Sequence, residues 1–244
     1  ADPDLIAEVR IGPDGHRDDA LPALFDAITT RVTTRRPFAD EPVDPVVQQA
    51  LIEAGVAEGV DIGCVTELVE RERIALLVAL ADRQQFGDPR FRRELANWVH
   101  PRRRDDGMPA YATDTVPLLD FATPLAASVI RTFDLGGGVA ATHHRLVVGS
   151  PLIVCIATGN DNHEAWLAAG QALERMLLVA ANAGLTASHL NQPIEVPALR
   201  EQLAALVGVG VGMNSQLLLR IGRGPCVPHS PRRALSEVVS EVVS

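Results

Sequence analysis

Apolar positions along this chain follow two periods, one near 3.6 residues and one near two, and these predict helices and strands respectively. The helical period covers residues 21–31, 44–58 and 69–86. Asp88 followed by Pro89 is a cap with proline at the first helical position, so a further helix should run to about residue 99. Thr123-Pro124 opens another by the same logic. Residues 4–11 read as a short strand closed by a turn at Gly12-Pro13-Asp14-Gly15, and residues 60–68 as a second strand. Residues 151–158 are an unbroken apolar run, the pattern of a strand covered on both faces. The clearest helix follows it. Asp161 as cap and Glu164 three residues later form a capping-box pattern, and Gly184 is the expected stop. Trp166, Gly170, Leu173, Leu177 and Ala180 should share one face of it, and the small residues around Gly170 should let a neighbouring helix approach. Pro197 opens a helix to about residue 207, and residues 216–221 form a last strand.

Helices outnumber strands, and the two do not alternate regularly. The expected class is therefore α+β, a central sheet flanked by helices, in one domain over residues 1–244. Residues 100–117 break the pattern. They hold three consecutive arginines, three prolines and the only tyrosine, Tyr111, and read as a long irregular loop, a lid candidate or a surface excursion. The apolar tail, residues 235–243, could dock on another surface.

Composition narrows the function. With 47% hydrophobic residues the chain suits a globular protein, and no apolar run is long enough to span a bilayer. The opening residues carry no basic leader or apolar signal core, so a cytoplasmic location is the default expectation. A net charge of −9 argues against nucleic acid as a partner. All 22 basic residues are arginine. Without lysine there is no Schiff base and no Walker A loop, so an anion would be held by arginine, histidine or backbone N–H groups. Cys64, Cys155 and Cys226 are too widely spaced for a zinc site or a disulfide framework, and Cys155 reads as a small buried hydrophobe.

Few constellations carry chemistry. In the segment TTRVTTRRPF, residues 29–38, Arg31, Thr33 and Arg35 alternate and would project on one side of an extended chain, where guanidinium groups and a hydroxyl suit phosphate. The alternative is an arginine-rich helix end satisfying its last carbonyls. Arg232 and Arg233, in SPRRALSEVV, form a second cationic element far along the chain. Gly136-Gly137-Gly138 lacks the setting of a dinucleotide fingerprint and reads as a loop, as do Gly208, Gly210 and Gly212. His143, His144, His163 and His189 occur without H-E-x-x-H and read as structural, leaving no metal site to assign.

The order of the RRPF segment, GQALERMLLVAANAGL, SHLNQPIE, QLLLRIGRG and the terminal SPRRALSEVV resembles the nitroreductase superfamily, and more closely its Acg family of nitroreductase-like flavoproteins. That resemblance implies a nitroreductase-like α+β fold with a mixed central sheet, and FMN as cofactor. It implies that Arg31, Thr33 and Arg35 meet the FMN phosphate, joined by Arg232 and Arg233, and that residues 188–195, from Ser188, pass beside the isoalloxazine ring. The activity implied is NAD(P)H-dependent reduction of nitroaromatics or quinones. Flavin storage or sequestration beneath a lid over residues 100–117 is the alternative. Classical members are homodimers, and Acg-type proteins resemble two such units fused. Two features depart from the pattern. No AP-S-x-x-N-x-Q-P-W segment occurs, which in the Acg layout lies upstream of the part resembling residues 1–15, so the chain resembles an Acg protein without its N-terminal portion. Val32 also stands where the phosphate motif carries an arginine, and Arg36-Pro37 lengthens the spacing to Phe38.

Overall fold

The computed structural model describes residues 8, 21–100, 108–109, 132, 135–225, 227–229 and 232–240. The expected strand at 4–11, its turn, the helix start at Thr123-Pro124 and most of the loop at 100–117 lie outside the described residues.

Two short helices, α1 (Leu21–Phe25) and α2 (Ala27–Thr30), stand where one was expected, divided at Asp26. α3 (Pro45–Val56) opens with Pro45 at its first position and the Asp44 carboxylate accepting from Val46 N at 2.8 Å. Then come β1 (Asp61–Val65), α4 (Leu68–Gly87) and α5 (Pro89–Trp98), followed by the parallel pair β2 (Val99–His100) and β3 (Met108–Pro109). α6 (Gly136–Val148) corrects the sequence reading: the three glycines form its first turn rather than a loop. β4 (Leu152–Thr158), α7 (His163–Asn182), β5 (Thr186–His189), α8 (Pro197–Ala204), β6 (Asn214–Gly222) and α9 (Leu235–Val238) complete the order. Leu235 and Val238 of α9 are exposed.

The main sheet has the order β1-β4-β6-β5, with every neighbouring pair antiparallel. It becomes mixed at one edge, where Thr33 forms a parallel bridge to Ala187. All seven residues of β4 are buried, because helices cover both faces. Leu152, Val154 and Ile156 pack with α3 and α7, while Ile153 and Cys155 pack with α4, α6 and α8. Each such aliphatic side chain contributes about 1.5–3 kcal/mol on burial, so this strand anchors the core. At β1 the turn after α8 comes so close that a Cβ on Gly63 would lie 1.9 Å from the Val207 carbonyl oxygen.

α7 ends as its sequence predicts. Gly184 has φ +70°, and the amide of Leu185 reaches back to the Ala180 carbonyl at 2.8 Å. Its start differs by one residue: the Asn162 side chain caps Ala165 N at 3.0 Å. Asp161 instead accepts from Trp166 Nε1, Gln216 Nε2 and Arg200 Nη1. These contacts hold Trp166 outward. The buried stripe runs through Ala169, Ala172, Met176, Leu177 and Ala180, so Leu177 and Ala180 lie on the expected face while Trp166 and Gly170 are exposed.

Candidate functional site

The segment after α2 leaves the helix at Arg31 in an extended conformation and lies along β5. Thr34 N donates to the Ala187 carbonyl at 3.1 Å, and Thr186 Oγ1 donates to the Val32 carbonyl at 2.9 Å. Extended geometry turns alternate side chains to opposite sides. Thr33 and Arg35 are exposed and Arg31 half-buried, whereas Thr34 between them is buried. The alternation expected from the sequence is present from Thr33 to Arg35, while Arg31 and Val32 are both half-buried.

β5 adds His189, which the sequence reads only as structural. Thr33 shares the side of Ala187 in the bridge, and His189, two residues on, lies on that same side. Desolvation, then the charges of Arg35 and Arg31, push the His189 pKa below its ordinary value. The two arginines and this imidazole thus share one edge. The signal for it in the sequence is the period of two within TASH, in a strand too short for the pattern to register. A described counter-charge is Glu174 on α7, whose Oε1 accepts from Arg31 Nε at 3.1 Å with both groups solvent-accessible.

Ser188 faces the other way. It stands in register with Arg220, which also pairs with Ile153, on the face packed by α4 and α8. The structure therefore does not bring Ser188 beside Thr33. Arg232 and Arg233 are exposed ahead of α9.

Arg220 is a group that sequence reasoning missed. Only 1% of it is accessible. Its Nη2 donates to the carbonyls of Thr34 at 3.3 Å and Arg36 at 3.0 Å, and its guanidinium carbon lies 4.2 Å from the centre of the Phe38 ring. Nε and Nη1 have no hydrogen-bond partner among the described residues. Burial, and then the like charge of Arg35, push its pKa down to about 10. It remains a cation at neutral pH.

Beyond β5 the chain turns through residues 190–195, and this turn is firmly held. Leu190 N donates to the Leu218 carbonyl, and Leu218 N donates to Asn191 Oδ1 at 2.9 Å. Gln192 Nε2 donates to Asp82 Oδ1 at 3.3 Å, and Gln85 to Glu195, so α4 clamps the turn. Asp82 is buried, and its Oδ2 accepts from His143 Nδ1 of α6 at 2.8 Å. With that proton on Nδ1, the 3.1 Å approach of Gln192 Nε2 to the same nitrogen joins two donors, so the amide is held by Asp82. Burial raises the Cys155 thiol to about 12 and Cys64 to about 11, so neither is a thiolate nucleophile at neutral pH. Among the described residues no group of three or more His, Cys, Asp or Glu side chains could hold a metal ion, and no helix is long and apolar enough to cross a membrane.

No family model matches the chain. In sequence it is similar to two Mycobacterium tuberculosis proteins that carry the provisional name NAD(P)H nitroreductase. One, Rv3131, is 32% identical over 91% of this chain. The other, Acg, is 28% identical over 97% of this chain and is itself 70% covered. The chain spans 63% of the length of Rv3131. In structure it is similar to the FMN-dependent nitroreductase NfnB of Mycobacterium smegmatis, solved with NADPH, at TM-score 0.59 and 16% identity over 92% of this chain and all (100%) of that one. It is also similar to a Bacteroides fragilis nitroreductase with bound FMN, at TM-score 0.51 and 15% identity, covering 90% of this chain and 98% of the other. The NADPH:FMN oxidoreductase of Vibrio harveyi aligns at TM-score 0.53 and 14% identity, over 91% of this chain and 78% of its own. The sheet, its helical layers and the structural neighbours agree: the chain has the α+β nitroreductase fold, and its sequence is similar to Rv3131 and Acg.

Proposed function

We propose that this chain is an FMN-binding nitroreductase-like flavoprotein whose edge segment at Arg31, Thr33 and Arg35 holds the cofactor phosphate. One observation carries the reading. Two guanidinium groups, a hydroxyl and the His189 imidazole line one sheet edge, and behind it Arg220 is buried as a cation with two nitrogens, Nε and Nη1, unpartnered among the described residues. A buried cation without an anion is costly, and concentrated positive charge on an acidic chain suits a small dianion. The donor set fits a phosphate monoester. Guanidinium forks bind its oxygens in pairs, and Thr33 adds a neutral donor. Exposed Arg232 and Arg233 are assigned to the same phosphate as the contribution of the C-terminal segment.

FMN, when bound, would supply hydride acceptance from NAD(P)H and electron delivery to a nitroaromatic or quinone. The chain's own part is binding and orientation. Residues 188–195 leave the same β5 strand that carries the edge, and their tethers to Leu218, Asp82 and Gln85 make them a rigid wall for the ring. A cytoplasmic setting, where reduced nicotinamide is abundant, belongs to this reading. So does completion of the pocket by a second copy or a fused second unit.

Purified protein should carry a flavin absorption band, or acquire one that survives dialysis after addition of FMN. Anaerobic bleaching by NAD(P)H faster than that of free FMN, with reoxidation by a quinone, is the expected result. Tight binding with reduction no faster than free FMN would replace the oxidoreductase reading with flavin storage. Protein that stays colourless would overturn both.

A further inference from the structure

Arg220 occupies a position where the strand pattern calls for an apolar side chain. In β6 it follows Leu218 on the face that packs against α4 and α8, and it pairs laterally with Ile153 and Ser188. Within ion-pair distance of its guanidinium there is no described carboxylate, and the charge that acts on it is that of Arg35, of the same sign. Replacing a buried ion by an apolar side chain of similar volume is often neutral or stabilising. Stability of the sheet is therefore a poor explanation for an arginine here.

What the guanidinium grips is more specific. Both hydrogen bonds go to main-chain carbonyls of one segment, at Thr34 and Arg36, 186 and 184 residues away in sequence. Carbonyls two residues apart on an extended chain point the same way, so a donor shared between them fixes rotation about the segment axis. That rotation decides whether Arg35 and Thr33 face solvent. β5 pins the segment laterally through the Ala187 and Thr186 bonds, and the Phe38 ring, against Arg220, closes the far end. The buried charge also adds to the positive field at Arg35, without competing for the ligand's oxygens.

We propose that Arg220 is the positioning residue of the anion edge, gripping the Thr34 and Arg36 carbonyls from behind so that Arg31, Thr33 and Arg35 present a fixed set of donors to a phosphate monoester. This role rests on the phosphate reading above and goes further, because it makes affinity depend on a side chain on the opposite face of the sheet.

The test uses the flavin-free full chain with two probes, FMN by fluorescence quenching and inorganic phosphate by thermal shift against chloride at equal ionic strength. Arg220→Met should bind both about ten-fold or more weakly, the scale of losing bonds to a charged donor. Affinity within about three-fold of the unmodified chain overturns the role, because contacts that act through one another couple by more than that. A double-mutant cycle with Arg35→Ala separates positioning from general stability. If Arg220 acts through the segment, Arg35→Ala costs little more once Arg220 is gone; fully additive losses overturn the proposal. Should Arg220→Met not fold, Arg220→Lys keeps the charge while losing the fork, and the same cycle applies. An unmodified chain that responds to neither probe overturns the phosphate reading together with this role. A normal unmodified response alongside an undiminished Arg220 variant overturns this role alone.

Discussion

Arg31 and Arg35 sit two repeats of the pleat apart on one edge, and Glu174 is a partner of Arg31. Its bond to Glu174 is solvent-accessible on both sides, and such pairs contribute about 1 kcal/mol or less. A phosphate dianion should displace it. Arg31→Ala or Arg35→Ala is expected to weaken FMN binding by about 1.5 kcal/mol or more, measured by fluorescence titration of correctly folded variants. Unchanged affinity would remove the phosphate assignment. His189 supplies a pH signature. Its folded pKa is depressed, first by desolvation and then by Arg35 and Arg31. Its contribution to stability is therefore present above the unfolded pKa of about 6.5 and is lost as pH falls below it. The unmodified chain should lose stability between neutral pH and about pH 5 more steeply than His189→Gln. Denaturant midpoints across that range check this, and identical slopes would contradict it. Asp82→Ala leaves His143 and Gln192 without their shared acceptor, and should cost about 1–3 kcal/mol in an urea melt.

Among the elements, α7 shows how local rules and neighbours divide the work. Its stop at Gly184 is a property of one turn and could be read directly. Its start could not, because Asp161 and Asn162 are both competent caps and the choice was made by Arg200 and Gln216 arriving from α8 and β6. Those partners hold the Asp161 carboxyl far below its ordinary range, Arg200 most strongly and Trp166 next. The stability this provides is present above the unfolded pKa of about 3.9 and disappears only as pH falls well below it. Asp161→Ala should therefore be less stable than the unmodified chain at neutral pH, with the gap closing in strong acid. A gap independent of pH would show that the charge contributes nothing. The same contacts keep Trp166 at the surface, so the expected face holds at Leu177 and Ala180 but not in the first turns of the helix. β5 was legible only as part of a motif, since four residues give a period of two too little room, and pairing with β6 makes it a strand. α6 escaped because three glycines argue against a helix by propensity, and packing on α4 overrides that. Arg71 of α4 reinforces this packing by donating to the carbonyls of Val148 and Ser150 at the end of α6.

For the whole molecule, the phosphate reading predicts that ligand and fold are linked. FMN at about a hundred times its dissociation constant should add about 2.7 kcal/mol to unfolding stability. A thermal scan without a shift at saturating FMN would contradict binding to the folded chain. By itself the sequence determined whatever depends on neighbours within a turn or a pleat: the α4 and α7 helices, the twice-covered β4 strand, the Gly184 stop, and the alternation of Arg31, Thr33 and Arg35. It also fixed the chemistry available, because a chain whose cations are all arginine offers phosphate forks rather than ammonium groups. Tertiary structure alone decided which of these groups meet. Thr33 reaches Ala187 across the loop closure of the whole β1-to-β5 stretch, Ser188 is turned from that edge by one step of the pleat, and Arg220 comes up behind it from 186 residues away. The physical reason is that hydrogen-bond periodicity acts over a few residues, whereas the company a side chain keeps is set by how the sheet and its helical layers close on one another.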